Sequence, residues 1–332
     1  MLRRSLFGAV AALALTVSSA FAAENKPAIV FDIGGKFDKS FNESMFNGAE
    51  KFKAEAGVAY GEFEIANEAQ REQAIRNFAD QGYSPIIAAG FAQAAAVEKV
   101  AKEYPELKFA IVDMVVDLPN VQSIVFNEHE GSYIVGLLAG MASKSGKVGF
   151  VGGMDIPLIR KFACGYAQGV KAAKADATIF QNMTGDTGAA WNDPVKGGEI
   201  TKGQMAQGAD VVYAAAGATG LGVLQAAADG GALSIGVDAN QNYLHPGKVL
   251  TSMLKRVDVA VYNVMKNGND NFKPGIQALG LAEDGVGYAM DDNNKPLVTA
   301  EMQAAAEKAK ADIISGAIKV HDYTTDNTCP VQ

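Results

Sequence analysis

Cysteine, histidine and positive charge are all scarce in this 332-residue chain. Two cysteines, Cys164 and Cys329, build neither a disulfide framework nor a zinc set. Cys164 falls in an apolar helical stretch and Cys329 in the tail, so their pairing stays open on sequence grounds. The three histidines, His129, His245 and His321, stand at no ligand spacing, which argues against a metal centre and a His-based triad. With 29 Lys+Arg against 37 Asp+Glu the net charge is −8, and no basic cluster interrupts it. That argues against binding nucleic-acid phosphates. There is no low-complexity linker, no short-period repeat and no long apolar run beyond the first residues.

What is present is core-forming. Hydrophobic residues make up 48% and charged residues 20%, which excludes intrinsic disorder. The first 22 residues stand apart. Arg3 and Arg4 precede an apolar run from Leu6 to Val17, and Ala20-Phe21-Ala22 supplies a small-residue cleavage site. This reads as a secretory signal peptide, because the run is shorter than the ~20 residues of a spanning helix. No cysteine lies near that site. The expectation is a cleaved, periplasmic protein without a lipid anchor.

Apolar strands then alternate with helical runs. Pro27 to Ile33 is a strand ending at Gly34-Gly35, and Ser40-Phe41-Asn42-Glu43 reads as a capping box for the next helix. Further strands are expected at 62–65, 85–89, 108–113 and 121–126, with helices between them. The pattern restarts at Lys147, where another strand ends in Gly152-Gly153 and a helix follows from Pro157. Strands at 178–183, 210–216, 233–238, 249–254 and 276–281 and a last helix over 299–315 complete the series. Continuous apolar strands alternating with helices mean parallel sheets covered on both faces. The units outnumber the eight of a TIM barrel, and the restart suggests two doubly wound lobes.

In such sheets ligands sit beyond the carboxyl ends of the strands. The polar residues expected there are Asp32, Asp38, Asn42, Asp113, Asn127, Glu128, Glu130, Asp238, Asn240, Gln241 and Lys255, with the glycine turn Gly217 to Gly220 and the aromatics Phe37 and Trp191. Carboxylates and a lysine suit vicinal hydroxyls, and aromatics suit a flat ring. The set holds few catalytic groups, so an enzyme is not expected. Each residue also has a plainer reading: Asp38 as a helix cap, Trp191 as core, Lys255 as a surface lysine. Gly217, Gly220 and Gly222 follow G-x-x-G-x-G, which is not the dinucleotide-binding order, and neither a P-loop nor a G-x-S-x-G elbow occurs.

At these residues the chain resembles a known family. Asp-Ile-Gly-Gly-Lys-Phe-Asp-Lys-Ser-Phe-Asn (Asp32 to Asn42) is similar to the opening signature of the basic membrane protein family, the purine-nucleoside receptor type of ABC-transporter substrate-binding protein. The likeness continues through Phe126-Asn127-Glu128, Trp191-Asn192-Asp193-Pro194, Ala216-Gly217-Ala218-Thr219-Gly220, Ile235-Gly236-Val237-Asp238 and Thr251-Ser252-Met253-Leu254-Lys255. The resemblance implies a type I periplasmic-binding fold of two Rossmann-like lobes joined by three crossovers. The lobes would comprise residues 24–127 plus 255–274 and residues 128–254 plus 275–320, with a tail over 321–332. It implies a base stacked between Phe37 and Trp191, where Trp departs from the more usual Phe. The base edge would meet Asp38 and Asn42. Ribose hydroxyls would meet Asp113, Asp238 and Lys255, with backbone amides around Gly217 and Gly220. A monomer that hands a nucleoside to an inner-membrane permease, with no cofactor, is the implied role. Another small metabolite, a sensor that docks on a receptor, and a nucleoside-acting enzyme are the alternatives. The last needs a Ca²⁺-holding Asp cluster or a nucleophile, and the sequence shows neither.

Overall fold

Residues 25–331 are described by the computed structural model, and the expected signal peptide lies outside them. Strand and helix alternate through β1 (Ala28–Phe31), α1 (Phe41–Ala56), β2 (Gly61–Glu64), α2 (Gln70–Asp80), β3 (Ile86–Ala88), α3 (Ala94–Glu103), β4 (Phe109–Val112) and β5 (Val121–Phe126). A second series follows: α4 (Glu128–Ala142), β6 (Lys147–Met154), α5 (Pro157–Ala173), β7 (Thr178–Gly185), α6 (Pro194–Ala206), β8 (Val211–Ala215), α7 (Thr219–Asp229), β9 (Leu233–Asp238) and β10 (Val249–Lys255). The chain ends through α8 (Val257–Asn267), β11 (Gly275–Leu279), β12 (Val286–Tyr288) and α9 (Ala300–Ile314).

The strands form two six-stranded sheets, ordered β11-β5-β4-β3-β1-β2 and β12-β10-β9-β8-β6-β7. Every pairing is parallel except β10 with the edge strand β12. The two series therefore share one doubly wound order and one type I fold, with β1 matching β6, β4 matching β9 and β5 matching β10.

Burial explains the continuous apolar strands. Along β1, Ile29 and Phe31 join Met45, Ala49 and Phe52 of α1, while Val30 joins Ile75, Val97 and Val100 on the opposite face. Each of these side chains larger than Ala49 contributes about 1.5–3 kcal/mol by leaving water.

Two local expectations are corrected, one strand is added and one open question is settled. Ser40 makes no side-chain bond to its helix. Instead, the Asp38 carboxylate accepts from the backbone N–H groups of Ser40, Asn42 and Glu43, at 2.8, 3.0 and 3.1 Å. A carboxylate two residues earlier reaches those amides better than the hydroxyl, which is drawn elsewhere. The stretch 275–320, assigned by sequence to the second lobe, begins in the first sheet, since β11 pairs with β5. The third crossing thus follows Leu279. The strand β12 is too short to show in the sequence pattern. The open question of the cysteines resolves in favour of pairing: Cys164 and Cys329 are disulfide-bonded, their Cα atoms 5.6 Å apart.

Candidate functional site

The carboxyl ends of β1, β3 and β4 face those of β8, β9 and β10 across a cleft. About 640 Å³ of empty space lies between its walls, with the open mouth included. That is within the range of small-molecule sites. The first lobe contributes Asp32 to Gly34 after β1, Asp38, Phe41 and Asn42 around the start of α1, Gly90 and Phe91 after β3, and Asp113 after β4. The second contributes Leu158, Ile159 and Phe162 of α5, Trp191 after β7, Ala215 to Gly217 after β8, Val237 and Asp238 of β9, and Lys255 at the end of β10.

At one end of the cleft three charges meet. The Lys255 ammonium lies 2.6 Å from Asp113 Oδ1 and 3.0 Å from Glu128 Oε1, and its side chain is 2% exposed. The rings of Phe126, Phe41 and Phe162 surround it at 5.1–5.5 Å. Ser40 Oγ, released from capping, donates to Asp238 Oδ2 at 2.5 Å and so ties the lobes together. Gln241 Nε2 does the same by donating to the Lys39 carbonyl at 2.9 Å. Asp113 and Asp238 occupy matching strand ends and both adopt left-handed backbone, with φ of 70° and 64°. Such conformations in non-glycine residues concentrate where a side chain is held for function.

Burial pushes the carboxyls of Asp113 and Asp238 up to about 6, against the pull of Lys255. It also pushes Asp38 up to about 6, although three backbone amides favour its anion. For Lys255 burial favours the neutral amine, but Asp113, Glu128 and Asp238 outweigh it and hold the ammonium.

Aromatic rings occupy the rest of the wall. Trp191 and Phe91 meet edge to face with centroids 6.5 Å apart. The Trp191 ring lies so close to Gly153, at the end of β6, that a Cβ there would sit 2.2 Å from Cζ3. Gly217, at φ 56°, lets the turn after β8 pass beneath the backbone of Trp191. At this end Asp32 is paired with Arg71 at 3.2 Å, and Asn42 bridges the Asp32 backbone.

Seven of the nine expected site residues line the cleft: Asp38, Asn42, Asp113, Trp191, Gly217, Asp238 and Lys255. Two do not. Phe37 is 61% exposed and packs edge to face on Phe46 at 5.4 Å, outside the cavity wall. Gly220 lies inside the first turn of α7 and is buried behind the wall. Asp32, expected at a strand end but given no ligand role, also lines the cleft, as do Phe41, Phe91 and Phe162. Phe41 and Phe162 sit on helix faces that read as core, and Phe91 follows a strand end, where a closer inventory would have found it.

A family model described as "ABC transporter substrate-binding protein PnrA-like" matches residues 26–324. The "ABC transporter nucleoside-binding protein BmpA" of Lactococcus lactis subsp. cremoris is 33% identical, over 89% of this chain and 88% of the relative. Three proteins of Pyrococcus species named as uncharacterized lipoproteins are 36–37% identical, over 79% of this chain and 68–69% of theirs. These relatives overturn the expectation of a periplasmic protein without a lipid anchor, because their names point to anchored proteins. Among solved structures, the solute-binding protein of an ABC transporter system from Aeropyrum pernix K1 superposes with a TM-score of 0.82 at 30% identity, covering 90% of this chain and 93% of that one.

Proposed function

Since the chain belongs to the Bmp family of PnrA-like ABC transporter substrate-binding proteins, we propose that it captures a nucleoside, purine in type, in the interlobe cleft and presents it to a permease. The observation that carries this reading is the division of the cleft. Asp113, Asp238 and Lys255 converge at one end, where hydroxyl groups would find two acceptors and a donor. Trp191 and Phe91, one from each lobe, stand towards the other end, where a flat ring would pack. Asn42 and Asp32 offer polar atoms to the edge of that ring. The name of the Lactococcus relative supports the same ligand class.

The mechanism follows from the two-sided wall. A ligand that touches both lobes stabilises the closed arrangement by its differential affinity for it, and the closed arrangement is what a permease would read. A buried carboxylate left without its hydroxyl partner costs free energy, so the site would reject deoxy analogues.

A thermal-shift panel on refolded, ligand-stripped protein tests this. Guanosine, inosine or adenosine should raise the midpoint, while ribose and free bases should not. A response to some other metabolite, with none to nucleosides, overturns the nucleoside assignment and leaves the transport role standing.

A further inference from the structure

Behind Lys255 the charges continue away from the cleft. Glu128, the first residue of α4, is 1% exposed and meets Lys255 through Oε1 at 3.0 Å. Its other oxygen, Oε2, meets Lys161 of α5 at 3.0 Å. Lys161 also donates to the Phe126 carbonyl at 2.7 Å and lies 3.5 Å from Asp322 of the C-terminal tail. His129 Nδ1 stands 3.8 Å from the same Asp322. Signs therefore alternate from the cleft wall to the tail: Asp113, Lys255, Glu128, Lys161, Asp322.

Only the first two members line the cavity. Glu128 and Lys161 reach a ligand only through Lys255. Their separation from it follows from helix geometry. Leu158, Ile159 and Phe162 of α5 face the cleft, whereas Lys161, Cys164 and Gln168 share the face that meets the tail. That face is fastened twice. Cys164 is bonded to Cys329, and the Gln168 side chain donates to the His321 carbonyl at 3.0 Å and accepts from its N–H at 2.8 Å.

We propose that Glu128 and Lys161 are positioning residues for the ligand site, holding the Lys255 ammonium against Asp113, and that the disulfide-fastened tail completes them through Asp322. The electrostatic logic is one of balance. Lys255 alone faces Asp113, Asp238 and Glu128. Lys161 takes up one oxygen of Glu128, so that Glu128 does not draw Lys255 away from the cleft. Asp322 in turn meets Lys161 from the tail side, so that Lys161 is held between two carboxylates. Consistent with this, the two lysines hold the Glu128 carboxyl below its ordinary value despite full burial.

The proposal rests on the nucleoside reading for its ligand, and the test separates the two. Dissociation constants for a purine nucleoside and its 2′,3′-dideoxy analogue are measured for wild type, Lys161→Met, Lys161→Arg and the Cys164→Ser/Cys329→Ser pair. Lys161→Met should weaken nucleoside binding about tenfold, the order seen when an outer partner of a binding group is lost. Its affinity for the dideoxy analogue should hardly change, so discrimination collapses. Lys161→Arg should restore discrimination, and the cysteine pair should show the same loss in smaller degree. Equal weakening of both ligands, or none in a folded Lys161→Met protein, overturns the positioning role. If wild type binds no nucleoside, the functional reading fails instead. The positioning role is then read without ligand, from the ¹³C carboxyl titration of Glu128. That titration should lie below the ordinary glutamate range in wild type and move up in Lys161→Met; an unmoved titration overturns the role.

Discussion

Asp113 and Asp238 concentrate the chemistry of the cleft in two residues, and their acid-base behaviour gives opposite signs for stability and binding. Their native carboxyls sit at about 6 against an ordinary 3.8, as does that of Asp38. Above about pH 6 all three are ionised in both folded and unfolded chains, and burial of the anions destabilises the fold. As pH falls through 6 the native state takes up protons first, so this destabilisation fades. Calorimetry on the apo protein should show the midpoint rising between pH 7.5 and 5, and the rise should shrink in an Asp113→Asn/Asp238→Asn variant. Glu128 and Asp322, held below their ordinary 4.5 and 3.8, act oppositely only at lower pH, whereas His129, held below its ordinary 6.5 by burial, opposes the three aspartates within the interval as a single group. Ligand affinity should fall over the same pH 7.5 to 5 interval, because a protonated carboxyl loses acceptor capacity. A wild-type midpoint that declines steadily across that interval contradicts the assignment. Removing the cation is a sharper perturbation: Lys255→Met leaves Asp113 and Glu128 facing each other, at a cost of about 3–5 kcal/mol. Urea unfolding at pH 7 and pH 5 measures this, and the cost should be smaller at pH 5. These aspartates and Lys255 were legible in the sequence because each ends an apolar strand. Phe37 was misplaced because its ring found Phe46, a neighbour that strand and helix patterning does not reveal.

At the scale of elements, the start of α1 divides its labour unexpectedly. Asp38 holds the helix and Ser40 holds the other lobe. Asp38→Ala should therefore cost about 1–2 kcal/mol of stability, as the loss of a helix cap does. Ser40→Ala should leave thermal stability of the apo protein nearly unchanged and weaken ligand binding. Paired thermal melts and titration calorimetry distinguish these outcomes; equal loss of stability in both variants contradicts the division. The Ser-x-x-Glu spacing was visible in sequence, but the competing carboxylate two residues earlier was closer to the amides. Most strands and helices were legible within a few residues because their periodicities are strong. The strand β12 was not, having three residues and an antiparallel partner distant in sequence.

For the whole molecule, the restart at Lys147 announced two lobes, and the common strand order bears that out. Which lobe receives the chain after α8 was not readable, because β11 is short and largely exposed, as an edge strand of either sheet would be. The Ser40–Asp238 and Gln241–Lys39 bonds run directly from one lobe to the other. Solution scattering should show a shrinking radius of gyration on ligand binding in Ser40→Ala, since that variant has lost one closing bond. An unchanged radius with bound ligand contradicts a closing role for this contact.

The seating of β11 beside β5 also bears on biosynthesis. Residues 25–127 hold five of the six strands of the first sheet, yet its last strand and the helix α8 that covers α1 come from beyond Lys255. Until about 150 further residues have emerged, β5 remains an open edge with unpaired amides and carbonyls, the kind of surface that invites association with other chains. The lobe made first is thus completed after the lobe made second. During synthesis, the second lobe emerges beside an unfinished neighbour, and a chain cut short before Leu279 would carry that exposed edge permanently.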